Sequence, residues 1–400
     1  MYKKVQYGVL FILIAMLSAT SVVAQEEFID PPSRDLVNIP FEQLTGGIII
    51  LHAKFADFPD TLNFILDTGS SGISLDSTTI KYFGLVPTPS ERSIRGIAGI
   101  RKVSFLYNQS LHFKGLSVDS LNFHINDYSI LTAVYGEKID GIIGFAVLSR
   151  YIVKLDYDKM LVTFSTNGTI RYPRGGYLLR PSFNQLVTQP LRVKDNATIN
   201  SRFLFDLGAG LCMLFSKEFA EDSSLLQKKR KKWVKQGEGL GGKIDMELTV
   251  IKEVKVGPYK FRKVPVFVFD DEYNVTSYPY MGGLIGNDIM RRFNVIMNYQ
   301  KGDIYISPNR HFTESFDYSY SGVELYLIDG VIVAGDIAKG SPAEAAGLQE
   351  GDQVIGINKN FSLNLNQYKI ALQTPNEKVK VVFRRNGVIM EVDFKVLSII

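Results

Sequence analysis

One segment of this chain occurs twice, and that repetition constrains the fold more than any other feature. The first copy reads Phe64-Ile65-Leu66-Asp67-Thr68-Gly69-Ser70, an apolar run ending in an acid and a glycine turn. The second reads Phe203-Leu204-Phe205-Asp206-Leu207-Gly208-Ala209, with Asp206 standing where the first copy has Asp67. A glycine-rich stretch follows each acid at nearly the same distance: Gly96-Ile97-Ala98-Gly99 after Asp67, and Gly237-Glu238-Gly239-Leu240-Gly241-Gly242 after Asp206. Next come Gly141-Ile142-Ile143-Gly144 and Gly283-Leu284-Ile285-Gly286, then strand-like runs ending at Tyr157 and Tyr299, again nearly equidistant from their acids. Four features in one order at near-equal offsets point to one structural unit present twice. Packed about a pseudo-twofold axis, two such units set equivalent residues side by side.

The chemistry of that juxtaposition follows from charge. Two carboxylates a few ångströms apart cannot both ionise, so Asp67 and Asp206 are expected to share one proton, with pKa values that split. The titration belongs to the pair. Such a pair offers one base and one acid around a water, suited to attack on a carbonyl carbon. Gly69 and Gly208 are expected to let the backbone turn tightly and present N–H groups to the carboxylates. Ser70 carries a hydroxyl where Ala209 has none, so Asp67 is expected to be the ionised member.

The Asp67-Thr68-Gly69-Ser70 turn, its altered second copy, the glycine-tipped stretches and the apolar-apolar-Gly segments resemble the aspartic peptidases, with retropepsin-like lobes fused into one pepsin-like chain. The resemblance spans roughly residues 38–309. It implies a mainly β protein, a two-lobed β-barrel pair of the acid protease fold, with lobes at 38–170 and 178–309. It also implies that Asp67 and Asp206 activate a water, that Thr68, Gly69, Ser70 and Gly208 support them, and that Gly96, Ile97, Ala98 and Gly99 tip a hairpin closing over a peptide. One departure stands out. The family carries Thr after each acid, and the two hydroxyls brace the lobes; here the second is Leu207. Two readings stay open: an endopeptidase, or a peptide-binding protein that does not cut.

Strand signals recur along the chain at Ile48 to Leu51, Leu62 to Leu66, Val103 to Leu106, Ile152 to Leu155 and Met160 to Phe164, punctuated by turn clusters such as Asp57-Phe58-Pro59-Asp60. Arg171 to Gly176 reads as a connector and Ser307 to Tyr320 as a second linker. Beyond lies Gly340-Ser341-Pro342-Ala343-Glu344-Ala345-Ala346-Gly347-Leu348, then Gly351-Asp352. Ser341 can cap a short helix with Pro342 in its first turn and Gly347 at its end. This pattern resembles a PDZ domain of the bacterial protease-associated type, an α+β module over 318–398. The resemblance implies a groove for C-terminal peptides, with Tyr320, Ser321, Gly322 and Val323 as its carboxylate loop. The terminal Leu397 to Ile400 is expected to complete the last strand, and a packing module without a ligand is the plainer alternative.

The N-terminal segment 1–24 carries Lys3 and Lys4, an apolar stretch from Tyr7 to Leu17 and Val22-Val23-Ala24 before Gln25, the pattern of a secretory signal peptide. An uncleaved anchor is the alternative. The expectation is an exported chain, periplasmic or extracellular, soluble after cleavage and a monomer, since both acids lie in one chain. Among 400 residues there are 45 basic and 41 acidic, a balance that points away from nucleic acid as partner. The four histidines lack metal-ligand spacing, so no metal or cofactor is expected. The lone Cys212 is read as a core thiol, and Lys228-Lys229-Arg230-Lys231-Lys232 as the solvated face of a basic helix.

Overall fold

The computed structural model describes residues 30–399 except Leu240 and Asp317, so the expected signal peptide, residues 1–24, lies outside the described residues. Two compact units are present. The described part of the small one is 30–32 with 168–170, joined by a parallel bridge between Pro32 and Thr169. The large unit, Ser33–Asn167 with the chain from Arg171 onward, carries everything discussed below.

The chain is mostly β, and its two halves build matching barrels. In the first half, strands Ile49–Phe55, Leu62–Leu66, Gly141–Ile143, Ile73–Asp76, Leu116–Asn126 and Phe105–Phe113 follow one another. The ring closes where Lys54 and Phe55 pair with His112 and Leu111. In the second half Leu186–Lys194, Thr198–Phe205, Gly283–Ile285, Met213–Ser216, Tyr259–Phe269 and Gly242–Val256 repeat that order. They close where Arg192, Val193 and Lys194 meet Lys255, Val254 and Glu253. Closure removes the sheet edges, and inward-facing apolar residues such as Phe55, Phe64, Leu66 and Phe123, or Phe203, Phe205, Phe215 and Val266, fill each barrel.

A third, six-stranded antiparallel sheet joins the halves. Its order is Asp35–Pro40, Leu161–Ser165, Ile152–Asp156, Phe293–Asn298, Asp303–Pro308, Tyr177–Leu179. At its centre Ile152 to Leu155 pair with Asn298 to Val295, so the strands ending near Tyr157 and Tyr299 face each other across the pseudo-twofold axis. The PDZ domain follows as a five-stranded sheet of Val323–Ile328, Val331–Ile337, Gln353–Ile357, Lys378–Arg385 and Val388–Lys395, with helices Pro342–Ala345 and Leu365–Ala371. Ser341 Oγ accepts from the Glu344 N–H at 3.2 Å, and Gly347 follows the helix with φ +98°. Among the described residues no helix is long and apolar enough to cross a membrane.

Four expectations from the sequence give way to packing. Strand formation near Val103 begins only at Phe105. The basic run at 228–232 forms no helix; Arg230 turns inward, 8% exposed, to pair with Asp195 at 3.0 Å, and a strand starts at Trp233. Leu397–Ser398 does not extend the PDZ sheet but pairs with Ser319–Tyr320. The segment read as a linker after Ser307 is packed: strand Asp303–Pro308 runs into it, and Phe312 and Phe316 join the core of the second half. Arg292 holds that segment. Wholly buried, its guanidinium donates to the carbonyls of Asp288 (3.0 Å), His311 (3.3 Å), Ser315 (3.2 Å) and Glu314, and lies 4.1 Å from the Phe316 ring centre.

Arg292→Leu strips those carbonyls of their donor, leaving that of Asp288 buried and the other three part-buried. We expect a loss of about 3 kcal/mol in chemical denaturation, since each stranded group costs roughly 1–3 kcal/mol, together with new proteolytic nicks between 309 and 320.

Candidate active site

Each acid sits at the end of a barrel strand, and the strand beside it fixes where the turn begins. Gly141–Ile143 lies parallel to Leu62–Leu66, and the Asp67 N–H donates to Ile143 O at 2.9 Å. Gly283–Ile285 lies parallel to Thr198–Phe205, and the Asp206 N–H donates to Ile285 O at 3.0 Å. Beyond the turns the match continues. Gly144 and Phe145 N–H groups bond to Gly72 and Ser70 carbonyls, as Gly286 and Asn287 bond to those of Cys212 and Ala209. The apolar-apolar-Gly segments are thus the braces against which both acidic turns rest.

The turns bring the carboxyls together. Gly69 N–H donates to Asp67 Oδ1 at 2.6 Å and Gly208 N–H to Asp206 Oδ1 at 2.8 Å, while the two carboxyl groups hydrogen-bond to each other. Neither glycine has positive φ, so conformational freedom is not why it is there. Space is. A Cβ on Gly69 would lie 2.6 Å from Asp206 Oδ2, and one on Gly208 would lie 2.4 Å from Asp67 Cγ.

Beneath the dyad a single hydroxyl spans the lobes. Thr68 Oγ1 donates to Phe205 O at 2.6 Å and accepts from the Leu207 N–H at 3.0 Å, so it satisfies two backbone groups of the opposite turn. Leu207 offers no reciprocal hydroxyl; its side chain is wholly buried in the core.

Burial pushes both carboxyls up. Asp206 stands well above the ordinary carboxylate range because burial is compounded by the negative charge of Asp67, whereas Asp67 is held back by accepting from Asp206 and from the Gly69 and Ser70 N–H groups. Asp67 is therefore the favoured anion. The route differs from the one read from sequence: Ser70 acts through its backbone N–H, and Ala209 supplies an equivalent N–H to Asp206.

The dyad opens into a cavity of about 1240 Å³. Two hairpins border it. Ser93–Gly96 and Gly99–Lys102 pair in register, so Ile97 and Ala98 form a two-residue tip between Gly96 and Gly99. Trp233–Gly239 and Gly242–Val256 form the equivalent hairpin of the second half. The tips touch: Ile97 packs at Gly239, the Ala98–Gly99 backbone abuts Gly241, and Arg101 Nη2 donates to Gly241 O at 3.3 Å. Tyr320, Ser321, Gly322 and Val323 line the same cavity. Tyr320 packs with Leu204, Leu214, Leu284 and Ile399 of an apolar cluster, and the Ser321 and Gly322 carbonyls accept from Ala343 and Ala338 N–H groups.

Two cavity residues escaped the sequence reading. His124 lines the wall and burial drives its imidazole down to about 4, so it is neutral; Tyr128, bonded to Ser74 and Asn126, is pushed up to about 12. Neither shows a pattern in sequence: His124 is one polar residue within strand Leu116–Asn126, and Tyr128 lies in the polar turn before helix Ser129–Tyr135. Among the described residues no three His, Cys, Asp or Glu side chains converge as metal ligands would. Cys212 is buried, its thiol donating to Asp288 Oδ2 at 3.3 Å.

Thr68→Val leaves Phe205 O and the Leu207 N–H buried without partners, and a loss of about 2–4 kcal/mol is expected in denaturant titration; Thr68→Ser, which keeps the hydroxyl, costs far less. Asp206 favours its protonated form in the folded state, so its contribution to stability falls as pH rises through its raised pKa. Asp206→Asn should therefore melt higher than the parent chain above neutral pH, with the difference vanishing toward pH 4, as read by calorimetry.

Family models agree with this geometry. The model described as aspartyl protease matches residues 52–147 and again 190–289, and that of the PDZ domain matches 333–385. No curated protein matches the chain in sequence. The chain carries an aspartyl protease family domain in two matching halves, followed by a PDZ domain.

Proposed function

We propose that the chain is an aspartic-type endopeptidase that hydrolyses peptide bonds in peptides or proteins by a water held between Asp67 and Asp206. The observation that carries this reading is the hydrogen-bonded carboxyl pair at the base of a cavity bordered by two hairpins. The cavity exceeds the ~300–1,000 Å³ of clefts that bury drug-sized ligands, as an extended peptide requires. Asp67, ionised, takes a proton from the water as its oxygen attacks the carbonyl carbon; Asp206, protonated, gives its proton to the carbonyl oxygen. The resulting diol then collapses: one hydroxyl gives its proton to Asp206 as the C=O re-forms, the C–N bond breaks with its electron pair going to nitrogen, and the proton held by Asp67 reaches the leaving amine. One chain supplies both acids, so the working unit is a monomer. The PDZ domain recruits peptide C-termini or gates the cleft, and export to the periplasm or beyond rests on the pattern of residues 1–24.

A diverse peptide mixture incubated with the chain from pH 3 to 8, read by mass spectrometry, tests this. New termini that vanish in both Asp67→Asn and Asp206→Asn are expected. The rate profile should be bell-shaped, with its alkaline limb above the usual carboxylate range because Asp206 is raised. No cleavage by a folded chain at any pH would instead mark a peptide-binding protein, with Leu207 as the telling departure.

A further inference from the structure

The second-half hairpin is tied to the PDZ sheet through both of its strands. From Trp233–Gly239, Lys235 Nζ pairs with Glu324 at 2.9 Å and the Glu238 carboxyl meets the Tyr326 hydroxyl. From Gly242–Val256, Lys243 Nζ pairs with Asp336 at 2.7 Å and lies 4.3 Å from the Tyr326 ring centre. Asp336 takes the same phenol oxygen. Tyr326 is 2% exposed, so water does not readily replace these partners. Glu324 and Tyr326 lie on Val323–Ile328, the edge strand of the PDZ sheet, and Asp336 on its neighbour.

We propose that Tyr326 is a positioning residue: through Glu238 it fixes the second hairpin over the dyad, so that the PDZ domain completes the peptide cleft. This rests on the peptidase reading of that cleft. Tyr326 itself does not line the cavity, whereas Glu238, Glu324 and Asp336 do. Its effect on a bound peptide passes through the hairpin, whose tip in turn abuts Ile97 to Gly99 of the first.

Proton counting limits what the phenol can do. A phenol donates one proton, so Tyr326 can donate to only one of two carboxyls, and the other contact needs a proton of its own. Asp336 also accepts from the Lys243 ammonium at 2.7 Å. Burial, then the charge of Glu324, hold Glu238 above the usual carboxylate range, against the opposing pull of its Tyr326 hydrogen bond, Lys369 and Lys235. Tyr135, also near Glu238, is itself pushed up and neutral.

Two measurements on the full chain test this: hydrogen exchange of peptides covering 233–239 and 242–248, and steady-state kinetics on a peptide cut by the parent. Tyr326→Phe should exchange about fivefold faster in the hairpin, with 379–383 of the PDZ core unchanged. KM should rise about fivefold while kcat stays within about twofold, the signature of lost binding rather than lost chemistry. Unchanged hairpin exchange in Tyr326→Phe overturns the proposal, as does faster exchange with unchanged KM. If Tyr326→Phe loosens the PDZ core, Lys243→Met, which leaves the phenol in place, is read by the same criteria. A parent chain that cuts nothing rejects the peptidase reading, while the exchange data still decide whether the tie exists.

Discussion

The Thr68 hydroxyl is the contact on which the rest of the site depends. It is one oxygen with two partners, Phe205 O and the Leu207 N–H, both on the opposite turn and both buried. Were either group left bare, desolvation would cost more than the net hydrogen bond contributes, so the hydroxyl sets the separation of the two turns. That separation leaves no room for a Cβ at Gly69 or Gly208, and it presses the Asp67 and Asp206 carboxyls against each other. Leu207 makes the support one-sided: hydrogen bonding comes from the first half, and apolar packing from the second.

The lobes are held in register by more than the dyad. The six-stranded sheet joins them at Ile152–Asp156 and Phe293–Asn298. A buried chain of hydrogen bonds runs alongside: Tyr157 Oη donates to Asn287 Oδ1 at 2.8 Å, and Asn287 Nδ2 donates to Gly47 O. Next to it Gly46, at φ +75°, packs so closely on Gly210 that a Cβ would fall 2.3 Å from Gly210 O. A backbone turn of the first half thus seats directly on the acidic turn of the second. The two carboxyls inherit their geometry from a rigid frame, as a preorganised pair requires.

Much of this was legible because duplication writes the same local rules twice. Phe64 to Leu66 and Phe203 to Phe205 are apolar runs suited to a fully buried strand, and each must end where an acid and a glycine begin. The PDZ module was legible through Ser341, Pro342 and Gly347, whose helix-capping roles are local. Illegible features depend on partners distant in sequence. Arg230 sits in a run of like charges that reads as solvated, yet Asp195 draws it inward. Ser307 to Tyr320 lacks periodicity, because Arg292 holds it by donating to main-chain carbonyls that no side-chain pattern records. Leu397–Ser398 could add to any exposed edge, and tertiary placement selected Ser319–Tyr320.

By itself the sequence determined that the chain is a doubled β unit with one acid per copy, because strand patterning and turn chemistry act over short stretches. It also determined that a capped α+β module follows. Only the tertiary structure decided that one threonine serves both turns, that burial and the charge of Asp67 rather than a missing hydroxyl raise Asp206, and that the hairpin tips meet beside the PDZ edge strand. Those outcomes rest on distances between groups far apart in the chain or on opposite sides of a cavity. Burial and Coulomb interaction depend on such distances, and sequence spacing does not specify them.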